Sequence, residues 1–184
     1  MHKPQGVTLP ELLIVIAIVG LLATLAVPSF KRLIQANAIS SGVSIFMVDL
    51  RFARSEAIKR GGVVVMCRSD APEKASPTCG KGSKLGWQSG WIIFHDLNNN
   101  SNKTATETLL RVQAPLTAID SIAEAGPATK FEFFPTGRPK GGAYGRIQFG
   151  GNKTPNDLQR LICIDIAGRA RIAGDGNSSC YSGQ

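Results

Sequence analysis

From Leu12 to Val27 the chain runs through sixteen consecutive uncharged residues, and the carboxylate of Glu11 stands immediately before them. At about 1.5 Å per residue a helix of that run reaches roughly 24 Å, short of a hydrocarbon core of about 30 Å. Adding Val7 to Pro10 supplies the missing length only by drawing Glu11 into the membrane. Beyond Pro28 the helical spacing persists to about Arg60, but its character changes. Ile39, Val43, Phe46, Met47, Leu50, Ala53 and Ala57 form one apolar stripe, and Lys31, Arg32, Gln35, Ser55 and Lys59 fall off it. The pattern predicts one long helix, apolar all round over residues 7–28 and one-faced over residues 29–60, with a kink at Pro28.

Gly61 and Gly62 close that helix, and β-branched residues take over. Strands are predicted at Val63–Cys67, Gly90–His95, Thr108–Gln113, Lys130–Phe134, Arg146–Phe149 and Leu161–Ile166, with a short one at Arg169–Ile172. Stretches such as DLNNNSN and PTGRPKGG supply the turns between them. Helix first and strands afterwards describe an α+β fold, in which a long N-terminal helix packs on an antiparallel sheet built from residues 61–184. The residues beyond the membrane segment suffice for one domain with its own core.

Glu11 needs a partner, because an intramembrane carboxylate costs a few kcal/mol unless it is paired or protonated. A cut after Gly6 would create an amine on Val7 at the same depth. Pro10 would then fall among the first four amides of a helix, which have no intrahelical acceptor in any case. Glu11 is expected to point away from its own terminus, so the amine that it meets belongs to the next subunit of an assembly. A short basic leader ending in Gly, a T-L-x-E start, an apolar run and a closing Pro resemble the class III signal of type IV pilins and of the pseudopilins of type II secretion. Val7 stands where Phe is usual. The resemblance implies that residues 1–6 are a leader removed by a prepilin peptidase, that Val7 becomes an N-methylated terminus, and that Glu11 pairs with a neighbouring subunit's amine. It also implies a single-pass protein of the inner membrane with a periplasmic globular domain, later assembled with other pilin subunits into a filament. A secretory signal peptide would need a small-x-small site after the apolar run, and LAVPSFKR supplies none.

The net charge of +8 is unevenly distributed. Residues 1–60 carry 7 basic against 3 acidic side chains, residues 61–129 carry 6 against 6, and residues 130–184 carry 8 against 4, so the last third is the candidate surface for a polyanion. All four cysteines lie on the exported side of the helix, where disulfides persist. Three pairings are possible; spacing favours Cys67 with Cys79 and Cys163 with Cys180, each closing a short polar loop. The close C-x-x-C spacing of a zinc site is absent.

The globular half sharpens the resemblance. VVVMC with a second Cys, GWQSGWIIFHDLNNN, FFPTGRP and a closing GRAR look like the GspH/FimT group of minor pilins and pseudopilins, FimT-like members most of all. Enzymatic chemistry finds no support, since His95 is the only histidine after the leader and no G-x-S-x-G or paired-carboxylate motif stands out. Trp87 and Trp91 are expected in the core. Asp96, Asn98, Asn100 and Glu107 match the ligand spacing of an EF-hand loop. Ser101 stands at the Gly position, only two carboxylates are present and the flanks read as strand, so a polar hairpin without metal is expected, and no cofactor. Strand alternation puts Arg169 and Arg171 on one face, where guanidinium groups can meet backbone phosphates, and Gly168 is expected to leave room for close approach. In FimT-like minor pilins the G-R-x-R motif is associated with DNA binding in natural transformation, which the resemblance carries to Arg169 and Arg171. Arg138, Lys140, Arg146, Lys153 and Arg160 could extend the patch. The reading is a low-copy minor type IV pilin that binds DNA without sequence preference. The alternatives are a ligand-free minor pilin that primes assembly, or a pseudopilin of type II secretion.

Processing is testable first. Mass spectrometry of assembled protein should find a methylated Val7 terminus, whereas a terminus beyond Pro28 would contradict the leader. Glu11→Ala should remain in the membrane and enter filaments poorly.

Overall fold

A computed structural model of the protein describes residues 8–80, 86–124, 130–140 and 145–180. The expected cleavage pair, Gly6 and Val7, lies outside them. Helix α1 spans Leu9–Arg60, with Pro10 in its first turn, where its missing N–H is harmless, and the helical assignment continues unbroken through Pro28. In the single chain Glu11 does not point away from its terminus. Its Oε2 turns back to the Thr8 amide, 3.5 Å away at the outer limit of a hydrogen bond, because first-turn amides lack backbone acceptors. At the other end Gly61 adopts a left-handed φ of 62° that stops the helix. The helix is long and apolar enough to cross a membrane, and its most apolar stretch is wholly uncovered.

After α1 come β1 (Val63–Arg68), a 3₁₀ turn at Trp87–Ser89, β2 (Trp91–Asp96), β3 (Leu109–Gln113), β4 (Ile122–Glu124), β5 (Lys130–Phe133), β6 (Gly145–Phe149), β7 (Arg160–Ile164) and β8 (Ala170–Gly174). The strands form two four-stranded sheets rather than one, in the orders β3-β2-β1-β5 and β4-β6-β7-β8, with every pairing antiparallel. Strand β4 has no counterpart in the sequence reading. Three residues are too few to show alternation, and Ile122 is its only fully buried side chain.

The seven apolar residues of the predicted helical stripe are all buried. Phe46 sits at the centre, edge-on to Trp87, Trp91, Phe131 and Phe149 with ring centroids 5.4 to 6.0 Å apart. Trp91 and Phe131 belong to the first sheet and Phe149 to the second, so one side chain joins the helix to both. The tryptophans satisfy their indole N–H groups on carboxylates: Trp91 donates to Asp49 at 2.8 Å and Trp87 to Glu124 at 2.9 Å. Asp49 is buried in the middle of α1 and also pairs with Arg111 of β3. A smaller apolar cluster of Val63, Val65, Cys67, Ile92 and Phe94 fills the opposite face of the first sheet, and Cys79 packs against it. Disulfides join Cys67 to Cys79 and Cys163 to Cys180.

Next to the uncovered apolar half of α1, a loop clasps the helix. Asp120 accepts hydrogen bonds from the Gly151 and Lys153 amides and the Thr154 hydroxyl, Gln35 of α1 donates to Thr154 at 3.0 Å, and Arg32 pairs with Asp157. Partial burial pushes the Asp120 carboxyl up, but these hydrogen bonds outweigh it and hold the group below its ordinary 3.8.

Phe46→Ala should lower stability by about 3–5 kcal/mol, because the cavity would open between both sheets and the helix. Thermal melts will measure it. Asp120 stabilises the fold above the ordinary carboxylate range and loses that contribution as pH falls through its lowered folded-state value. Asp120→Asn should therefore lower the melting temperature at neutral pH and shrink the loss seen on acidification.

Candidate nucleic-acid interface

Strand β7 is the axis of the second sheet. Ile162 and Ile164 face the core, so Leu161 and Cys163 face outward, and their neighbours across the ladder share that direction. Cys163 lies opposite Arg146 of β6 on one side and Arg171 of β8 on the other. The two arginines therefore flank the Cys163–Cys180 disulfide on the outward face, separated by two strand spacings, about 10 Å. Both are exposed. Arg146 forms no ion pair among the described residues, and Arg171 donates to the Cys180 carbonyl at 3.2 Å. That bond ties the C-terminal segment to the strand carrying Arg171.

Arg169 lies just outside β8, in the turn that leads into it, rather than within a strand as the sequence reading has it. Asp165 organises this turn. Its backbone carbonyl accepts the Gly168 amide at 2.9 Å, and one side-chain oxygen accepts the amides of Ala167 and Arg169, both at 2.9 Å. The other oxygen accepts Nε of Arg169 at 3.0 Å, while the Arg169 side chain stays 76% exposed. Burial pushes the Asp165 carboxyl up, but the hydrogen bonds from the Arg169 amide, the Arg169 guanidinium and the Ala167 amide hold it below its ordinary range. The pairing is too exposed to stabilise the fold by much, yet it fixes the direction of the guanidinium. Asp at the first and Gly at the fourth position of a turn is the sequence signal that would have placed this anchor.

Gly168 does not leave room for a ligand. It is buried with φ of 76°, and a Cβ there would stand 3.0 Å from the Gly137 carbonyl and 3.2 Å from the Phe133 ring. Glycine is required by a left-handed backbone and by the docking of one turn against another. That docking brings the Phe134–Arg138 turn beside the Asp165–Arg169 turn, so exposed Arg138 joins Arg169 near the C-terminal end of α1.

The other basic residues do not join this group. Lys140 pairs with Glu132 at 2.8 Å, a hydrogen bond that raises its amine above the ordinary value. Arg160 commits its guanidinium to the carbonyls of Asp157 and Gln159, both at 2.7 Å. Lys153 belongs to the clasp around Gln35, next to the uncovered apolar half of α1. What remains is Arg146 and Arg171 on the outward face of the second sheet and Arg138 and Arg169 on two turns docked together, with Asp165 as the carboxylate engaged by Arg169. No group of three His, Cys, Asp or Glu side chains placed to hold a metal occurs among the described residues.

The comparisons with known proteins fit this architecture. A family model described as prokaryotic N-terminal methylation motif matches residues 1–27. A second, described as type II transport protein GspH, matches residues 43–168. Comparison with curated proteins returns no match. Among solved structures, the type IV minor pilin FimU of Pseudomonas aeruginosa strain PAO1 is similar in two crystal forms, each at 20% sequence identity. One superposes with a TM-score of 0.59 over 79% of this chain and 96% of that one, the other with 0.56 over 77% and 99%. That identity carries the fold alone: a long helix on antiparallel sheets. With the GspH model covering most of the globular part and the methylation motif covering the leader and apolar run, the chain belongs to the GspH family of type IV pilins and pseudopilins.

Proposed function

We propose that this pilin is a minor subunit of a type IV pilus and captures extracellular DNA through phosphate contacts on the outward face of its second sheet. The carrying observation is the row Arg146–Cys163–Arg171, with Arg169 held just beyond it by Asp165. Guanidinium groups spaced along a rigid sheet can each meet a phosphate oxygen, and among the described residues beyond α1 no helix longer than the 3₁₀ turn is present to enter a major groove. Binding is then sequence-independent and weakens steeply with salt. In this reading the chain is anchored in the inner membrane with its globular domain in the periplasm, is processed between Gly6 and Val7 by a prepilin peptidase, and enters the pilus with other pilin subunits through Glu11.

A second reading has its own support. Arg169 and Arg171 each have a partner within the chain, and the family model that matches is named for a type II transport protein. On that reading the arginines hold the Asp165 turn and the C-terminal segment in place, and the protein is a pseudopilin or a primer of filament assembly.

Duplex DNA of unrelated sequences should bind the purified protein alike, with a log–log salt slope of about −3 for three phosphates. Arg146→Ala or Arg171→Ala should each flatten the slope by about one unit and leave the melting temperature nearly unchanged. In cells, Arg169→Ala with Arg171→Ala should abolish DNA uptake while pili still form. Uptake that survives, or pili lost together with uptake, would favour the second reading.

A further inference from the structure

The stretch from Asp96, the last residue of β2, to Glu107, just before β3, contains two buried carboxyl groups that the fold brings together with no ion pair to either among the described residues. Asp96 is 2% and Glu107 4% exposed. Asp96 Oδ2 accepts the Ser101 amide at 2.8 Å, but its Oδ1, equally buried, has no hydrogen-bond partner. The Glu107 carboxyl comes within hydrogen-bonding reach of the Asp96 carboxyl, so the side chain with the orphaned oxygen stands against a second acidic group. A buried acceptor without a donor is costly, and a cation placed between two carboxyl groups would remove that cost.

The nearby amines hydrogen-bond elsewhere, although Lys140 stands close enough to feel the Asp96 charge. Lys130 donates to the Ser101 carbonyl at 2.8 Å, Lys103 donates to the Thr104 carbonyl, and Lys140 bonds Glu132 at 2.8 Å and the Ser101 hydroxyl at 3.3 Å. The oxygens that face the loop retain free lone pairs. Glu107 accepts one hydrogen bond on each oxygen, from the Leu97 and Thr104 amides at 3.1 and 2.8 Å. Asn98 and Asn100 each accept one backbone amide on Oδ1, at 3.0 and 2.8 Å. A carbonyl or carboxylate oxygen that accepts one hydrogen bond keeps a second lone pair for a metal. The sixth position, Ser101, takes a left-handed φ of 60°, which turns the chain as glycine does in a twelve-residue calcium loop. All donors are hard oxygens, two of the groups being carboxyls, which suits a divalent ion with an irregular oxygen shell better than one that demands a strict octahedron.

We propose that this β-hairpin loop is a calcium site, held by Asp96 Oδ1, the side-chain carbonyls of Asn98 and Asn100, and Glu107. It replaces the metal-free hairpin expected from the sequence. Two carboxylates and neighbouring lysines make it a weak site, with a Kd on the order of 10⁻⁴ to 10⁻³ M, in the range of extracellular modules.

The test uses the full-length protein in detergent micelles, stripped with EDTA and melted against calcium chloride at constant ionic strength. Calcium at about a hundred times its Kd should raise the melting temperature by about 5–10 °C. Magnesium at the same concentration should raise it much less. Glu107→Gln should lose the calcium response, and its melting temperature in EDTA should fall as well, because an amide nitrogen cannot accept from the Leu97 and Thr104 amides as the two carboxylate oxygens do. A purely structural Glu107 would lower the melting temperature and leave the calcium shift intact. Asn98→Asp, at an exposed position that leaves the fold intact, should lower the calcium Kd several-fold in calorimetric titration. No calcium shift in the wild type, an equal shift with magnesium, a full response in Glu107→Gln, or an unchanged Kd in Asn98→Asp would each overturn the site.

Discussion

Phe46 is the side chain on which the architecture turns. Four aromatic rings from the 3₁₀ turn and both sheets meet its edges, so the sheets are held together through the helix as well as through the chain between them. The same helix is bare and apolar toward its N-terminus. One continuous element is therefore apolar and long enough to cross a membrane at one end and a core stripe at the other. The change between the two roles falls between Phe30, which is exposed, and Ile39, which is fully buried.

Much of this is legible in the sequence because periodicity reports burial. Ile39, Val43, Phe46, Met47, Leu50, Ala53 and Ala57 recur at helical spacing and all face the sheets, and all seven predicted strands lie within a residue or two of the observed ones at each end. What periodicity cannot report is which strands share a ladder. The division into two sheets rests on pairings between distant segments, such as β1 with β5, and no local pattern encodes them. Asp49 shows the complementary limit. A charge on a buried helical face contradicts the amphipathic rule until Trp91 and Arg111 are seen to converge on it.

The basic C-terminal third gives the same lesson at the level of charge. Counting side chains marks eight cations beyond residue 129, yet Lys130, Lys140 and Arg160 are each engaged with a neighbouring carboxylate or carbonyl. The glycine of the G-R-x-R motif looked like clearance for a ligand and is instead filled space between two turns. Composition sets the field around a domain, but hydrogen bonding within the domain decides which charges can meet a partner.

The chain does not finish one sheet before starting the other. It lays down β1, β2 and β3 in the first, crosses to place β4 in the second, returns for β5, and crosses again for β6 to β8. Neither sheet is therefore an independent folding unit. The closing pairing of β1 with β5 must await residues made long after the anchoring helix has emerged, and loop closure over such distances is slow. An unfinished domain of this topology keeps a strand edge open throughout its synthesis. Fixing one end of the chain in a lipid bilayer confines those open edges to a plane, where encounters with other growing chains depend on lateral diffusion and copy number.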